Sequence, residues 1–207
     1  MPYSSLIISD GTSLFTTAGV QQFVPLILSP ESPPFLRACS SQICFRSDDI
    51  EEIGDNFHLT FFEMLGNWSF GDYFKKEAIF LAFEFLTRIL QIPKEKLWIT
   101  YFGGNKKIPK DDETLKIWQK LGVPKDRILP FGKEDNFWGP IGREGPCGPS
   151  TEIHFELKRE PCGLKNQCLP NCECGRFVEI WNLVFMQTIK KLAAMILLNI
   201  QSCPEKS

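Results

Sequence analysis

No apolar run in this sequence approaches the roughly 20 residues that a membrane-crossing helix needs. The longest, Leu192 to Ile200, falls well short of it. Met1-Pro2-Tyr3 opens no basic n-region with an apolar stretch behind it, so a secretory leader is not expected. A surplus of positive charge is missing too. Lys and Arg number 23 against 25 Asp and Glu, giving a net charge of −2 and a pI near 5.8. The overall field that would hold the molecule unspecifically on nucleic acid or an anionic membrane is therefore lacking. Internal repeats, low-complexity tracts and regular βαβ alternation are also absent from the sequence. The composition, 43% apolar and 23% charged over 207 residues, is that of one or two globular domains. The expectation is a cytoplasmic protein with neither a membrane nor DNA as partner.

Eight cysteines are present. A disulfide framework goes with smaller secreted chains, so a reducing compartment is the natural reading. Cys39, Cys44, Cys147 and Cys203 are scattered, whereas Cys162, Cys168, Cys172 and Cys174 crowd into one polar segment. Four soft ligands close in sequence, with Gly163, Pro170 and Gly175 to turn the backbone, suit a tetrahedral structural zinc. The Cys-x-Cys element is tighter than the commoner Cys-x-x-Cys, so paired or free thiols stay open as the alternative. Cys147, in a glycine-proline loop, is expected to pack and not to ligate.

Along the chain, short extended segments are expected at Ser4 to Ile8 and Ser13 to Thr16, and longer strands at Phe35 to Arg46 and His58 to Leu65, joined by the acidic stretch Ser47 to Asn56. The long pair suggests an antiparallel hairpin. A helix follows, with Asp72 as its N-cap, Phe74, Ala78, Leu81, Phe85 and Ile89 as its apolar stripe, and Pro93 as its stop. Leu97 to Phe102 has the look of a buried strand. Asp111-Asp112-Glu113 supplies the negative first turn of a second helix that ends at Gly122. A strand near Ile128 to Phe131, a loop from Phe137 to Pro149, and strands at Thr151 to Leu157 and Phe177 to Met186 complete the pattern. Mostly strands with a few helices predict an α+β fold: a largely antiparallel sheet flanked by helices.

The chemistry concentrates between Arg46 and Lys76. An arginine ending one strand and aromatics on the return strand fit a nucleotide clamp, guanidinium on phosphate and ring on base. The same residues fit a salt-bridged hairpin with a packed aromatic face.

The wording of this block, Thr60-Phe61-Phe62-Glu63-Met64-Leu65-Gly66-Asn67-Trp68-Ser69-Phe70-Gly71-Asp72-Tyr73-Phe74-Lys75, closely resembles motif 2 of the alanyl-tRNA synthetases, a class II aminoacyl-tRNA synthetase family. Leu14 to Phe23, Asp135 to Trp138 with Gly145 to Ile153, and Glu179 to Gln187 agree in order, so the resemblance covers about Ser4 to Gln187. It implies ATP-dependent activation of L-alanine to alanyl-adenylate, with Mg2+ on the leaving pyrophosphate, followed by transfer to tRNA(Ala) in the full-length enzyme. By position, Arg46 matches the arginine that binds the α-phosphate and is the implied catalytic group. His58, Phe62 and Met64 match the ATP site, and Trp138, Asn182 and Val184 match the alanine pocket. Trp138 and Val184 would serve equally well as plain core.

Three departures stand out. The family's first long helix is missing before Ser4, and the loop Ser47 to Glu52 carries no lysine. After Gln187 the text leaves the family's path to motif 3. The implied organisation is a truncated catalytic domain at 1–187, a cysteine-rich insertion at about 160–176 replacing a longer loop, and a divergent helical tail at 188–207. A non-catalytic nucleotide-binding or interaction protein derived from a synthetase is the rival reading.

Overall fold

A computed structural model describes residues 5–7, 13–29, 31–47, 50–55, 58–140, 143–157, 160–163, 168–172, 174–191 and 194–197. The chain divides into two compact units, one running through Asp72 and the other beginning at Tyr73.

The first unit is built on a hairpin of β1 (Arg37–Phe45) and β2 (Phe61–Ser69), antiparallel with Phe45 opposite Phe61 and Arg37 opposite Ser69. A short helix, α1 (Val24–Leu28), precedes it. The expected early strands contract to a single bridge between Ile7 and Phe15, with Ser4 and residues 8–12 outside the described residues. Side chains alternate across the ladder, as strand geometry requires. Phe61, Glu63 and Leu65 face out, while Phe62, Met64, Gly66 and Trp68 lie on the covered side. The Trp68 ring lies where a side chain at Gly66 would be. A Cβ there would come within 2.0 Å of it, so only glycine admits the indole. Trp68 and Phe70 then pack on Phe23 at 4.4 and 5.7 Å between ring centroids.

The second unit is an α+β layer. Helices α2 (Lys75–Glu84, continuing through a π turn at Phe85–Ile89) and α3 (Asp112–Lys120) belong to it. Its strands are β3 (Leu97–Phe102), β4 (Ile128–Phe131), β5 (Phe137–Trp138, entered from the short helix α4, Lys133–Asn136), β6 (Gly145–Glu156), β7 (Phe177–Val184), β8 (Thr188–Lys191) and β9 (Ala194–Leu197). The twelve-residue β6 is the hub, with antiparallel β3, β5, β7 and β8 as neighbours, β4 lying parallel to β3. One face of the sheet is apolar: Ile99, Tyr101, Ile153 and Leu183 join Ile79, Ala82, Leu86 and Trp118 of the helices in a single core. Each such fully buried large side chain contributes about 1.5–3 kcal/mol.

The structure corrects the expectations in four places. Asp72 does not cap α2. It pairs with Arg37, and the helix starts at Lys75 without a side-chain cap. The buried stripe of that helix is Ala78, Ile79, Ala82 and Leu86, whereas Leu81, Phe85 and Ile89 of the expected stripe are exposed. The segment is apolar nearly all round, so its sequence leaves open which side meets the sheet. The loop Phe137 to Pro149 is largely strand, because β5 pairs Phe137 with Pro149, and Gly145 to Cys147 pair with β8. The described part of the tail is a β-hairpin, not a helix: Thr188 lies opposite Cys147 and donates its Oγ1 proton to the Cys147 carbonyl at 2.7 Å. An open edge of β6, with backbone groups that need partners, outweighs helix preference here. Residues 198–207 lie outside the described residues.

A buried ion pair ties the two helices together. Lys75, at the start of α2, reaches Asp111 Oδ1 at 2.7 Å, with both side chains about 5% exposed or less. Asp111 also caps α3, accepting from the Thr114 N–H at 3.2 Å and from Thr114 Oγ1 at 2.8 Å. Replacing Lys75 by Met strands that carboxylate, and the expected cost is about 3–5 kcal/mol. Urea unfolding of the variant against the wild type measures it. A loss below about 1 kcal/mol would show that the pair does not hold the helices.

Candidate functional site

Arg46 leaves β1 directly after Phe45, and its backbone N–H bonds the Thr60 carbonyl at 2.8 Å, extending the hairpin by one rung. Its Nε donates to the Thr17 carbonyl at 3.1 Å, and the guanidinium lies 5.3 Å from the centroid of the Phe62 ring. This is cation–π distance. Met64 is on the same side of β2 as Phe62, its sulfur 3.3 Å from the Gly19 N–H. Three of the four residues expected at a nucleotide site therefore share one side of the hairpin. His58 precedes β2, outside the ladder. Its Nδ1 is 2.6 Å from Asp55 Oδ2, and its backbone N–H donates to Asp55 Oδ1 at 2.7 Å. Cys44, opposite Phe62, is fully buried, and burial raises its thiol pKa against the opposing pull of Arg46.

In the second unit the register gathers Trp138, Asn182 and Val184. Trp138 pairs with Gly148, Val184 with Ser150 and Asn182 with Glu152, and positions 148, 150 and 152 alternate onto one face of β6. That face is polar at its centre. Glu152, 9% exposed, accepts from Asn182 Nδ2 at 3.0 Å and from Thr100 Oγ1 at 3.1 Å, and lies 3.2 Å from His154 Nε2. Asn136, fully buried, donates its Nδ2 proton to Thr100 Oγ1 at 2.9 Å. Glu152, Thr100, His154 and Asn136 are not among the residues that the sequence singles out. A signal existed in Glu152-Ile153-His154-Phe155-Glu156, whose strict alternation marks a strand with one polar and one apolar face. Glycine at 148 is required for another reason: a Cβ there would stand 1.8 Å from the Phe185 carbonyl oxygen.

The cysteine segment closes on itself. The sulfurs of Cys162, Cys168, Cys172 and Cys174 all lie within 4.8 Å of one another, with pairs at 3.3, 3.6 and 3.9 Å. No disulfide joins them. Four thiolates around zinc at about 2.3 Å stand about 3.8 Å apart, so the cluster has the size of a tetrahedral site. Burial pushes the Cys174 thiol up to about 12 and raises Cys172 as well. Beside the cluster, Arg176 donates through Nε at 3.1 Å to Glu156 Oε1, and Glu156 also accepts from Trp98 Nε1 at 2.9 Å. These bonds outweigh burial and hold the Glu156 carboxyl below the usual carboxylate range. Cys147 is buried with its sulfur 3.1 Å from Thr188 Oγ1, in a packing position as expected.

Comparison with known proteins places these residues in context. The family described as "tRNA synthetases class II (A)" matches residues 1–201, which takes in β8 and β9 beyond Gln187. An alanine–tRNA ligase of Treponema denticola is 53% identical over 186 residues, 89% of this chain and 31% of that protein. One from Dehalococcoides mccartyi is 54% identical over 180 residues, 86% of this chain and 20% of its own length. One from Rubrobacter xylanophilus is 53% identical over 193 residues, 90% and 22% respectively. The chain thus spans less than a third of these relatives. Among the described residues no helix is long and apolar enough to cross a membrane.

The free thiols are sorted by burial. Iodoacetamide on the native protein is expected to modify exposed Cys39 first, while Cys44 and Cys147 react only after denaturant is added. Peptide mass mapping reads the order, and early labelling of Cys44 would contradict the covered face of the hairpin.

Proposed function

Because the chain belongs to the class II tRNA synthetases, in the alanyl family, we propose that it forms part of the machinery that activates L-alanine with ATP for transfer to tRNA(Ala). The observation that carries the reading is the convergence of Trp138, Val184 and Asn182 on one face of β6 from segments far apart in sequence. A half-buried indole and a valine beside an asparagine amide make a small apolar wall with one polar handle, which suits a methyl side chain on an amino acid.

In this reading Arg46 takes the α-phosphate by its planar fork, where it stabilises the charge that builds as the alanine carboxylate attacks. Phe62 and Met64 offer an apolar surface to the adenine, and His58 contributes near the phosphates. Magnesium, carried on the nucleotide's own phosphates, would neutralise the charge of the departing pyrophosphate. The product is alanyl-adenylate, and the alanyl group then passes to the tRNA 3′ end in the complete enzyme. A cytoplasmic location follows from the same reading.

The cysteine cluster has a separate, structural role. Cys162, Cys168, Cys172 and Cys174 would hold zinc, which closes the segment between β6 and β7 and spares the sheet a long loose connection. Reduced protein is expected to take up one equivalent of zinc. Because the metal must displace the protons that burial keeps on Cys172 and Cys174, affinity is expected to rise with pH and fall as the medium is acidified. Metal analysis after dialysis at several pH values reads both. Less than half an equivalent, unchanged in Cys172→Ser, would exclude the site.

The nucleotide role is tested by calorimetric titration with ATP and magnesium. Arg46→Lys keeps the charge but loses the fork, and affinity is expected to drop about tenfold. Equal binding by wild type and variant would remove Arg46 from the site.

A further inference from the structure

Glu152 is an acidic side chain at the middle of the central strand, almost out of water, and the alanine-activation chemistry above gives it nothing to do. A carboxylate can only accept hydrogen bonds. Its Oε1 lies 3.0 Å from Asn182 Nδ2, so the amide has one permitted orientation, NH2 toward Glu152 and Oδ1 turned away. The other carboxylate oxygen is fixed by the same logic. Asn136 Nδ2 donates to Thr100 Oγ1 at 2.9 Å, which leaves the Thr100 proton to go to Glu152 Oε2 at 3.1 Å. His154 Nε2, 3.2 Å from Oε2, adds a further donor in the tautomer that carries its proton there. One buried charge thus sets the direction of every bond around it, and Asn182, exposed on its outer side, is the member of the set that solutes can reach.

We propose that Glu152 is a positioning residue: it locks the Asn182 amide so that Oδ1 stands as a fixed acceptor for the ammonium group of the amino-acid substrate. The inference rests on the reading of Asn182 as part of the alanine pocket. Charge gives the arrangement its direction. A carboxylate held in a poorly solvated strand interior attracts the positive end of a zwitterion and repels the negative end. An amino acid beside Asn182 is therefore turned with its ammonium toward β6 and its carboxylate away. The end turned away is the end that must attack phosphate. Orientation of this kind lowers the barrier without any contact between Glu152 and the reacting atoms.

The test uses the 207-residue chain with its asparagine side chains labelled with nitrogen-15. In the ligand-free protein the two Nδ2 protons of Asn182 are expected to give widely separated signals with slow exchange. In Glu152→Gln, where the partner amide can turn either way, they are expected to broaden or draw together. Titrations with L-alanine and with L-lactate, which has a hydroxyl in place of the ammonium, follow. Glu152→Gln is expected to weaken alanine about tenfold and to leave lactate nearly unchanged. Asn182→Asp alone sets two carboxylates against each other and should lose alanine. The double variant Glu152→Gln with Asn182→Asp restores a donor facing an acceptor and should regain most of the affinity. A merely structural role would weaken both ligands alike and would show no rescue, and either result overturns the proposal. So does an Asn182 amide that exchanges as freely in the wild type as an asparagine in open solvent. A locked amide in a wild type that responds to neither acid would overturn the alanine-pocket reading itself, and the ammonium role with it.

Discussion

The burial of a single carboxylate constrains much of this molecule. Glu152 lies in a strand flanked on both sides, and an unpaired charge there would cost several kcal/mol. It is tolerated because β3 supplies Thr100, β7 supplies Asn182 and β6 itself supplies His154. Those donors reach it only when Thr100 and Asn182 stand directly opposite Glu152 on either side. A slip of one residue in β3 or β7 would turn its donor to the far face and put apolar side chains against the carboxylate. The register of three strands, and with it the place of Val184 and Asn182 on that face, is therefore tied to satisfying one acid.

The opposite face of the sheet follows a different rule. There Ile99, Tyr101, Ile153 and Leu183 meet the apolar sides of α2 and α3, and the Lys75 to Asp111 pair adds the directional contact that apolar burial lacks. Asp111 takes the Phe102 carbonyl through its backbone N–H at 3.0 Å, caps α3 with its side chain and neutralises the first residue of α2. Asp111, bonded through its backbone to the last residue of β3, thereby joins the starts of two helices. Non-directional burial holds the layers together, and a directional pair sets their positions.

The proposed roles fall on separate parts of these frames. The residues proposed for the nucleotide belong to the hairpin unit, on the side of β2 that carries Phe62 and Met64, and those proposed for a small amino acid belong to the polar face of β6. The cysteine cluster lies between β6 and β7 in sequence, where Arg176, Glu156 and Trp98 join its border to β3. A metal held there would close the connection between the two strands that carry Glu152 and Asn182.

What depends on neighbours along the chain is legible in the residues alone. Leu97 to Phe102 reads as a buried strand and is one, residue for residue. Asp111-Asp112-Glu113 reads as the acidic first turn of a helix, and the structure puts Asp111 one place earlier, at its N-cap; the four cysteines read as a cluster, and their sulfurs lie within 4.8 Å of one another. The motif around Phe62 also carried its family in its wording. Tertiary structure decided whatever depends on a distant partner. An all-round apolar helix shows no preference until a sheet arrives, so the buried side of α2 fell to Ala78, Ile79, Ala82 and Leu86. The segment from Thr188 could coil alone, but the open edge of β6 offered hydrogen bonds that a helix could not supply to that edge, and it became a strand. Glycine and proline from Gly145 to Pro149 disfavour a strand locally, yet β5 and β8 pair with them. Glu152 is unremarkable in the text. Its importance arises only when three strands close around it, because the cost of burying charge is a property of the surroundings and not of the residue.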